Sequence, residues 1–242
     1  MEAKDRIVLA LDVDTREEAL ALVKKLSGYV GVFKIGMQLY NSVGPDIVNR
    51  VHDLGGRVFL DLKLHDIPNT VGSAGKVLTR LNTYMFNVHA AGGREMMRKV
   101  AAAAQEEADQ RGITPPIILA VTVLTSISQR ELAEEMFVTG MKVEELVVKW
   151  ALMAKESGMG GVVCSPQEIS PIRQACGPDF KIITPGIRPL WSAANDQKRI
   201  TTPRQALDRG ADYMVIGRPI VQAADPCAAA QKIIEELEAQ PC

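Results

Sequence analysis

Eight short β-rich runs alternate with amphipathic helical patterns along all 242 residues, and this alternation constrains the fold more than any other feature. The strand candidates are Arg6–Val13, Val30–Met37, Arg57–Leu64, Tyr84–Ala90, Pro116–Leu124, Gly161–Ser165, Phe180–Gly186 and Tyr213–Gly217. Between them, apolar residues recur at helical spacing near 16–27, 42–54, 71–81, 93–110, 143–157, 167–175 and 203–209, with a last helix over about 226–239. A short helix is also predicted near 128–135, inside an extended connection over 126–142. Thr15 with Glu18 reads as a capping box. Thr202, Pro203 and Gly210 read as N-cap, first helical turn and C-terminal stop. Eight βα units in a chain of this length predict an α/β protein, a (β/α)8 TIM barrel. The alternative is a doubly wound open sheet, but no GxGxxG follows the first strand, which counts against a dinucleotide-binding form of it. No linker or low-complexity tract interrupts the chain, so residues 1–242 read as a single barrel domain of a stand-alone protein.

A 47% hydrophobic content supplies a large core, and with only 5% aromatics that core is built mainly of Ala, Val, Leu, Ile and Met. The net charge of -1, from 28 basic and 29 acidic residues, gives no general attraction to nucleic acid or an anionic membrane. No stretch approaches the ~20 continuous apolar residues of a membrane span. The start, MEAKDRIVLALDVD, runs from a short apolar segment straight into acids, unlike a signal peptide. Cys164, Cys176, Cys227 and Cys242 form no CxxC pair and read as reduced thiols of a cytoplasmic protein. Three scattered histidines offer no zinc site.

The segment Phe59–Val71, FLDLKLHDIPNTV, carries the chemistry. Alternation along a strand puts Asp61 and Lys63 on one face and Leu60, Leu62 and Leu64 on the other. Asp66 follows where the strand should end. An ion pair within an apolar strand is costly unless its charges are matched, and two acids around one lysine keep that lysine protonated. It can then donate a proton or orient a substrate. His65 and His89 are expected to be structural, and His52, on a helix, to face solvent. Barrel active sites lie at the C-terminal strand ends. There the sequence places Asp12, Lys34, Asp61, Lys63, Asp66, Asn87, His89, Thr125, Ser126, Gly186, Arg188, Gly217 and Arg218. The ends of strands 7 and 8 are the usual phosphate site of such barrels. Glycine there admits a phosphate to the backbone, and arginine can bind it bidentately. The polar loop 187–202, which contains Gln197, is long enough to be a binding loop.

Together these residues resemble the orotidine 5′-phosphate decarboxylase family, in its stand-alone bacterial form. The resemblance runs nearly end to end. It rests on Asp61-Leu62-Lys63-Leu64-His65-Asp66, a DxKxxD signature, followed by Ile67-Pro68-Asn69-Thr70. It also rests on LALDVD, FKIGM, NVHAAGG, VLTS, PGIRP and VIGRPI at successive strands. The resemblance implies a homodimeric carboxy-lyase that converts orotidine 5′-phosphate to UMP and CO2, the last step of de novo pyrimidine synthesis, with neither metal nor cofactor. It makes Lys63 the proton donor to C6, within an array of Lys34, Asp61, Lys63 and Asp66. It assigns the ribose to Asp12 and Lys34, the pyrimidine to Thr125 and Ser126, and the phosphate to Arg188, Gln197, Gly217 and Arg218. Asp66 and Thr70 would reach into the partner's site.

Two rivals remain at this point. One is a metal-dependent sugar-phosphate decarboxylase or aldolase on the same scaffold. Such relatives typically place an acid at the end of strand 2 to help hold magnesium; Lys34 stands there instead. A ribulose-phosphate epimerase-like barrel lacks its metal-binding histidines here. The other rival is a non-catalytic barrel that binds UMP, which would have no need of a proton donor.

Overall fold

The protein is described by a computed structural model over residues 1–192 and 201–239. Its eight strands are β1 (Ile7–Ala10), β2 (Val32–Gly36), β3 (Val58–Leu64), β4 (Met85–His89), β5 (Ile117–Val121), β6 (Gly161–Val163), β7 (Lys181–Thr184) and β8 (Tyr213–Ile216). They close into a barrel in chain order. The pairs β1–β2, β1–β8, β2–β3, β5–β6 and β6–β7 are parallel. The (β/α)8 expectation is met, and each strand falls within its expected run.

The helices are α1 (Arg16–Leu26), α2 (Met37–Val43), α3 (Asp46–Asp53), α4 (Pro68–Arg80), α5 (Gly93–Arg111), α6 (Gln129–Glu134), α7 (Val143–Glu156), α8 (Ile169–Cys176), α9 (Pro203–Arg209), α10 (Arg218–Val221) and α11 (Pro226–Glu238). The single helix expected over 42–54 is two. Gly44, at φ 77°, ends α2 in a conformation that favours glycine, and Pro45 follows with no N–H to continue the ladder. α4 begins at Pro68, three residues earlier than expected, with proline in the first turn where its missing N–H costs nothing. α10 is too short for periodicity to reveal. Thr202 and Gln205 make a reciprocal box that caps α9. Thr15 caps α1 by accepting the Glu18 N–H, but only half of the expected box forms, because the Glu18 carboxylate takes the Thr15 hydroxyl at 2.9 Å.

Contacts gather the chain into two compact units. The first comprises Met1–Leu62, Thr83–Met85 and Thr184 onward. β1 and β2 are buried at every position, as strands covered on both faces must be. Phe33, Phe59 and Tyr213 are its largest fully buried side chains. At the N-terminal ends of its strands the Tyr84 and Tyr213 hydroxyls meet at 2.7 Å. Arg57 lies over the Tyr84 ring and reaches Asp5 at 2.7 Å. Burial, more than any neighbour, pushes the Tyr213 hydroxyl pKa up.

The second unit comprises Lys63–Asn82 and Phe86–Ile183. Here α4 and α5 pack closely because glycines line the contact: a Cβ on Gly75 would stand 2.5 Å from Val100 Cγ2. Beside them Glu107 accepts from Arg80 at 2.8 and 3.0 Å and from Arg111 at 2.7 Å. The Arg80 hydrogen bonds, then those of Arg111, hold the Glu107 carboxyl down to about 2.

β6 and β7 approach each other through Gly161, which is in register with Lys181. A Cβ there would overlap the Lys181 carbonyl oxygen and lie 2.7 Å from Lys181 Cβ. Backbone cannot yield as a flexible side chain does. Gly161→Ala is therefore expected to destabilise the fold by about 1–3 kcal/mol, read as a lower urea midpoint. An unchanged midpoint would show that the two strands can spread without loss.

Candidate active site

In the first unit the ionic residues converge on Lys34. Its side chain is 10% exposed, and its Nζ lies 3.2 Å from Asp12 Oδ1 and 3.5 Å from Asp61 Oδ2. Asp61 is 15% exposed and Asp12 is 60% exposed, so one carboxylate is buried with the ammonium and the other opens to solvent. The strand register builds this contact. Ala10 of β1 pairs with Lys34 of β2, and Gly36 pairs with Asp61 of β3. Gly36 lies two residues beyond Lys34, on the same face of β2. A Cβ on it would stand 3.0 Å from Lys34 Nζ and 3.8 Å from Asp12 Oδ1, so the glycine leaves the space the ammonium occupies. A Cβ on Gly217, after β8, would likewise stand 3.8 Å from Asp12 Oδ2. The β8 end therefore lies beside Asp12, as the barrel reading requires.

Gly217 caps α10, and Arg218 is that helix's exposed first residue. Arg188 is 7% exposed, and its N–H donates to the Thr201 carbonyl. Ile187 and Thr201 form a parallel bridge, so the chain is pinned on both sides of residues 193–200. Gln197 lies outside the described residues. Trp191 stands under the Lys232 ammonium of α11 at 5.6 Å.

In the second unit Lys63 departs from the sequence expectation. Its φ is 52°, left-handed, where an extended strand was expected. Alternation is broken at that residue, so it no longer sets the direction of Lys63 or of His65. The Lys63 N–H donates to Asn87 Oδ1 at 2.7 Å. The rings of His65 and His89 lie side by side at a tilt of 42°, with centroids 5.5 Å apart. His52, expected to face solvent, is half-buried, with Nδ1 3.0 Å from the Gly56 carbonyl. Asp66 is exposed and accepts the Ile67 N–H at 2.6 Å. Thr70, Thr125 and Ser126 are exposed as well. Among the described residues no group of three His, Cys, Asp or Glu side chains is placed to hold a metal.

Glu168 was not singled out from sequence, since one acid before a helix is unremarkable. It is 8% exposed, precedes α8, and accepts the Ser165 N–H at 2.7 Å in the loop that follows β6. Desolvation pushes its carboxyl up to about 7, against the lowering effect of that hydrogen bond. Burial raises the Cys164 thiol too.

A (β/α)8 barrel with an ionic cluster at the C-terminal ends of β1, β2 and β3, and a glycine-arginine pair after β8, defines the class of protein. Comparison with known proteins narrows it. The model of the orotidine 5′-phosphate decarboxylase / HUMPS family matches residues 5–233. Orotidine 5′-phosphate decarboxylase of Syntrophomonas wolfei is 68% identical over 238 residues, covering 98% of this chain and all of that protein. That of Heliobacterium modesticaldum is 53% identical, covering 98% and 97%. The crystal structure of orotidine 5′-phosphate decarboxylase from Lactobacillus acidophilus superposes with a TM-score of 0.85 at 38% identity, covering 96% and 99%. The chain belongs to the orotidine 5′-phosphate decarboxylase / HUMPS family.

Glu168 yields a prediction with a definite sign. Its folded pKa lies above that of the unfolded chain, so folding binds a proton between the ordinary carboxylate range and about 7. Stability falls as pH rises through that window. Glu168→Gln keeps an oxygen for the Ser165 N–H and removes the charge. Its Tm should exceed that of the wild type at about pH 8, with the gap narrowing toward about pH 5. A pH-independent gap would mean that the buried charge carries no penalty.

Proposed function

We propose that the chain decarboxylates orotidine 5′-phosphate to UMP and CO2, using its own side chains and no metal. Loss of CO2 from C6 leaves a carbanion in the plane of the ring, with no conjugated sink. A fixed cation beside that carbon stabilises the developing charge, an electrostatic contribution often among the largest in catalysis. Lys63 is that cation and then the proton donor, passing its proton to the C6 carbanion once the carbon–carbon bond has broken. Asp61 faces the departing carboxylate, Asp66 completes the array, and Lys34 holds Asp61 while contacting the ribose with Asp12. Thr125 and Ser126 take the pyrimidine. Arg188, Gln197, Gly217 and Arg218 take the phosphate, whose binding energy fixes the reactive geometry far from the breaking bond.

The observation that carries this reading is the placement of Lys34. Its ammonium sits between Asp12 and Asp61, where a magnesium-dependent relative would need an acid. A divalent cation at those carboxylates would have to displace a buried ammonium. The exposure of Asp66, of Thr70 and of Ile67, 67% exposed between them, supports a homodimer in which Asp66 and Thr70 enter the partner's site. Among the described residues no helix is long and apolar enough to cross a membrane; we place the enzyme in the cytoplasm.

Turnover of orotidine 5′-phosphate, followed by ultraviolet absorbance with and without excess EDTA, tests the proposal. Wild-type protein should convert it equally in both. Lys63→Ala should lose at least about 100-fold in turnover, the lower end of what a placed proton donor contributes, while still binding UMP. Abolition by EDTA would favour a metal-dependent relative, and UMP binding without wild-type turnover would leave a binding barrel.

Subunit mixing tests the shared site. Combined Lys63→Ala and Asp66→Ala chains, each inactive alone, should recover roughly a quarter of wild-type activity after random exchange, since half the dimers are mixed and each has one intact site. No recovery after demonstrated exchange would mean that each site is built from one chain.

A further inference from the structure

We infer that Asn87 is a positioning residue for Lys63: its side-chain carbonyl holds the Lys63 amide and thereby fixes the backbone turn that aims the lysine. This rests on the reading of Lys63 as the proton donor and goes beyond it. A left-handed backbone at a side chain with a Cβ costs about 1–2 kcal/mol, so at φ 52° Lys63 needs something to keep it there. The Lys63 N–H points instead to the carboxamide of the neighbouring strand, 2.7 Å away. A bond of this kind contributes about 0.5–1.5 kcal/mol net, enough to offset much of the strain.

Asn87 is an unlikely residue for its position unless it has such a task. It is 1% exposed, with Phe86 and Val88 fully buried on either side. A buried carboxamide is costly unless it is hydrogen-bonded. A leucine of similar volume would suit the core but could not accept the Lys63 N–H. With alternation broken at Lys63, the pleat no longer decides where its ammonium goes; the turn does. The strain then belongs to preorganisation, because the lysine is aimed before substrate arrives.

The test compares Asn87→Leu, Asn87→Asp and Lys63→Ala with the wild type. Asn87→Leu removes the acceptor, and Asn87→Asp keeps it. The leucine variant should lose about 100-fold in kcat, as a small misplacement of a reacting group can cost, with KM and UMP affinity nearly unchanged. The aspartate variant should recover most of that loss. If the leucine variant does not fold, Asn87→Ala, which needs no extra space, carries the same expectation. Wild-type kcat in Asn87→Leu, beside an inactive Lys63→Ala, overturns the inference while leaving the proton-donor reading intact. A parallel loss of kcat and UMP binding in the leucine and aspartate variants makes Asn87 a packing residue and also overturns it. Turnover by Lys63→Ala would instead remove the reading on which the inference rests.

Discussion

The ammonium of Lys34, buried at the end of an apolar strand, is the constraint around which the described site is arranged. A lone buried cation would cost several kcal/mol in lost hydration. Asp61 offsets that cost from the adjacent strand, and Asp12 does so from the other side while remaining in water. Neither carboxylate could approach without the parallel register that brings Ala10, Lys34, Gly36 and Asp61 together. A Cβ at residue 36 would crowd the ammonium at 3.0 Å, and the glycine spares it that displacement. One glycine, two strand pairings and two acids thus act as a unit, and altering one strands the others.

How the cluster is mounted bears on its chemistry. Lys34 stands on a strand buried at every position, and Asp61 directly follows the buried run Val58–Leu60, so both are anchored in a packed interior that resists small displacements. A preorganised charge is useful in catalysis because it need not reorganise as the reaction proceeds. The phosphate candidates are mounted differently. Arg188 is buried on a segment pinned by Thr201, and Arg218 is exposed at the head of a short helix. This division suits a substrate whose phosphate supplies binding and whose ring requires exact placement.

The barrel was legible because parallel strands buried on both faces leave continuous apolar runs, and helices with a single buried stripe leave a different period. The DxKxxD segment was legible because charges in such a run demand an explanation. The break at Gly44–Pro45 was equally present in the sequence, but helical periodicity continues through it and outweighed the punctuation. Gly36 was seen as part of a motif without its purpose, since the space a glycine leaves can be recognised only once the Lys34 side chain is located.

Lys63 marks the limit of pattern reasoning. Period-two alternation presumes an extended backbone, and the presumption failed at the residue to which most chemistry is assigned. The cause is a hydrogen bond between a side chain on one strand and an amide on the next, separated by 24 positions and leaving no periodic trace. Asn87 was visible in the sequence as a polar residue at a strand end, where it reads as one more group facing the substrate. Its oxygen is directed instead to the protein's own backbone. A polar residue in a barrel strand can thus serve the reaction without touching the reactant, by holding a neighbouring chain in a conformation that it would otherwise leave.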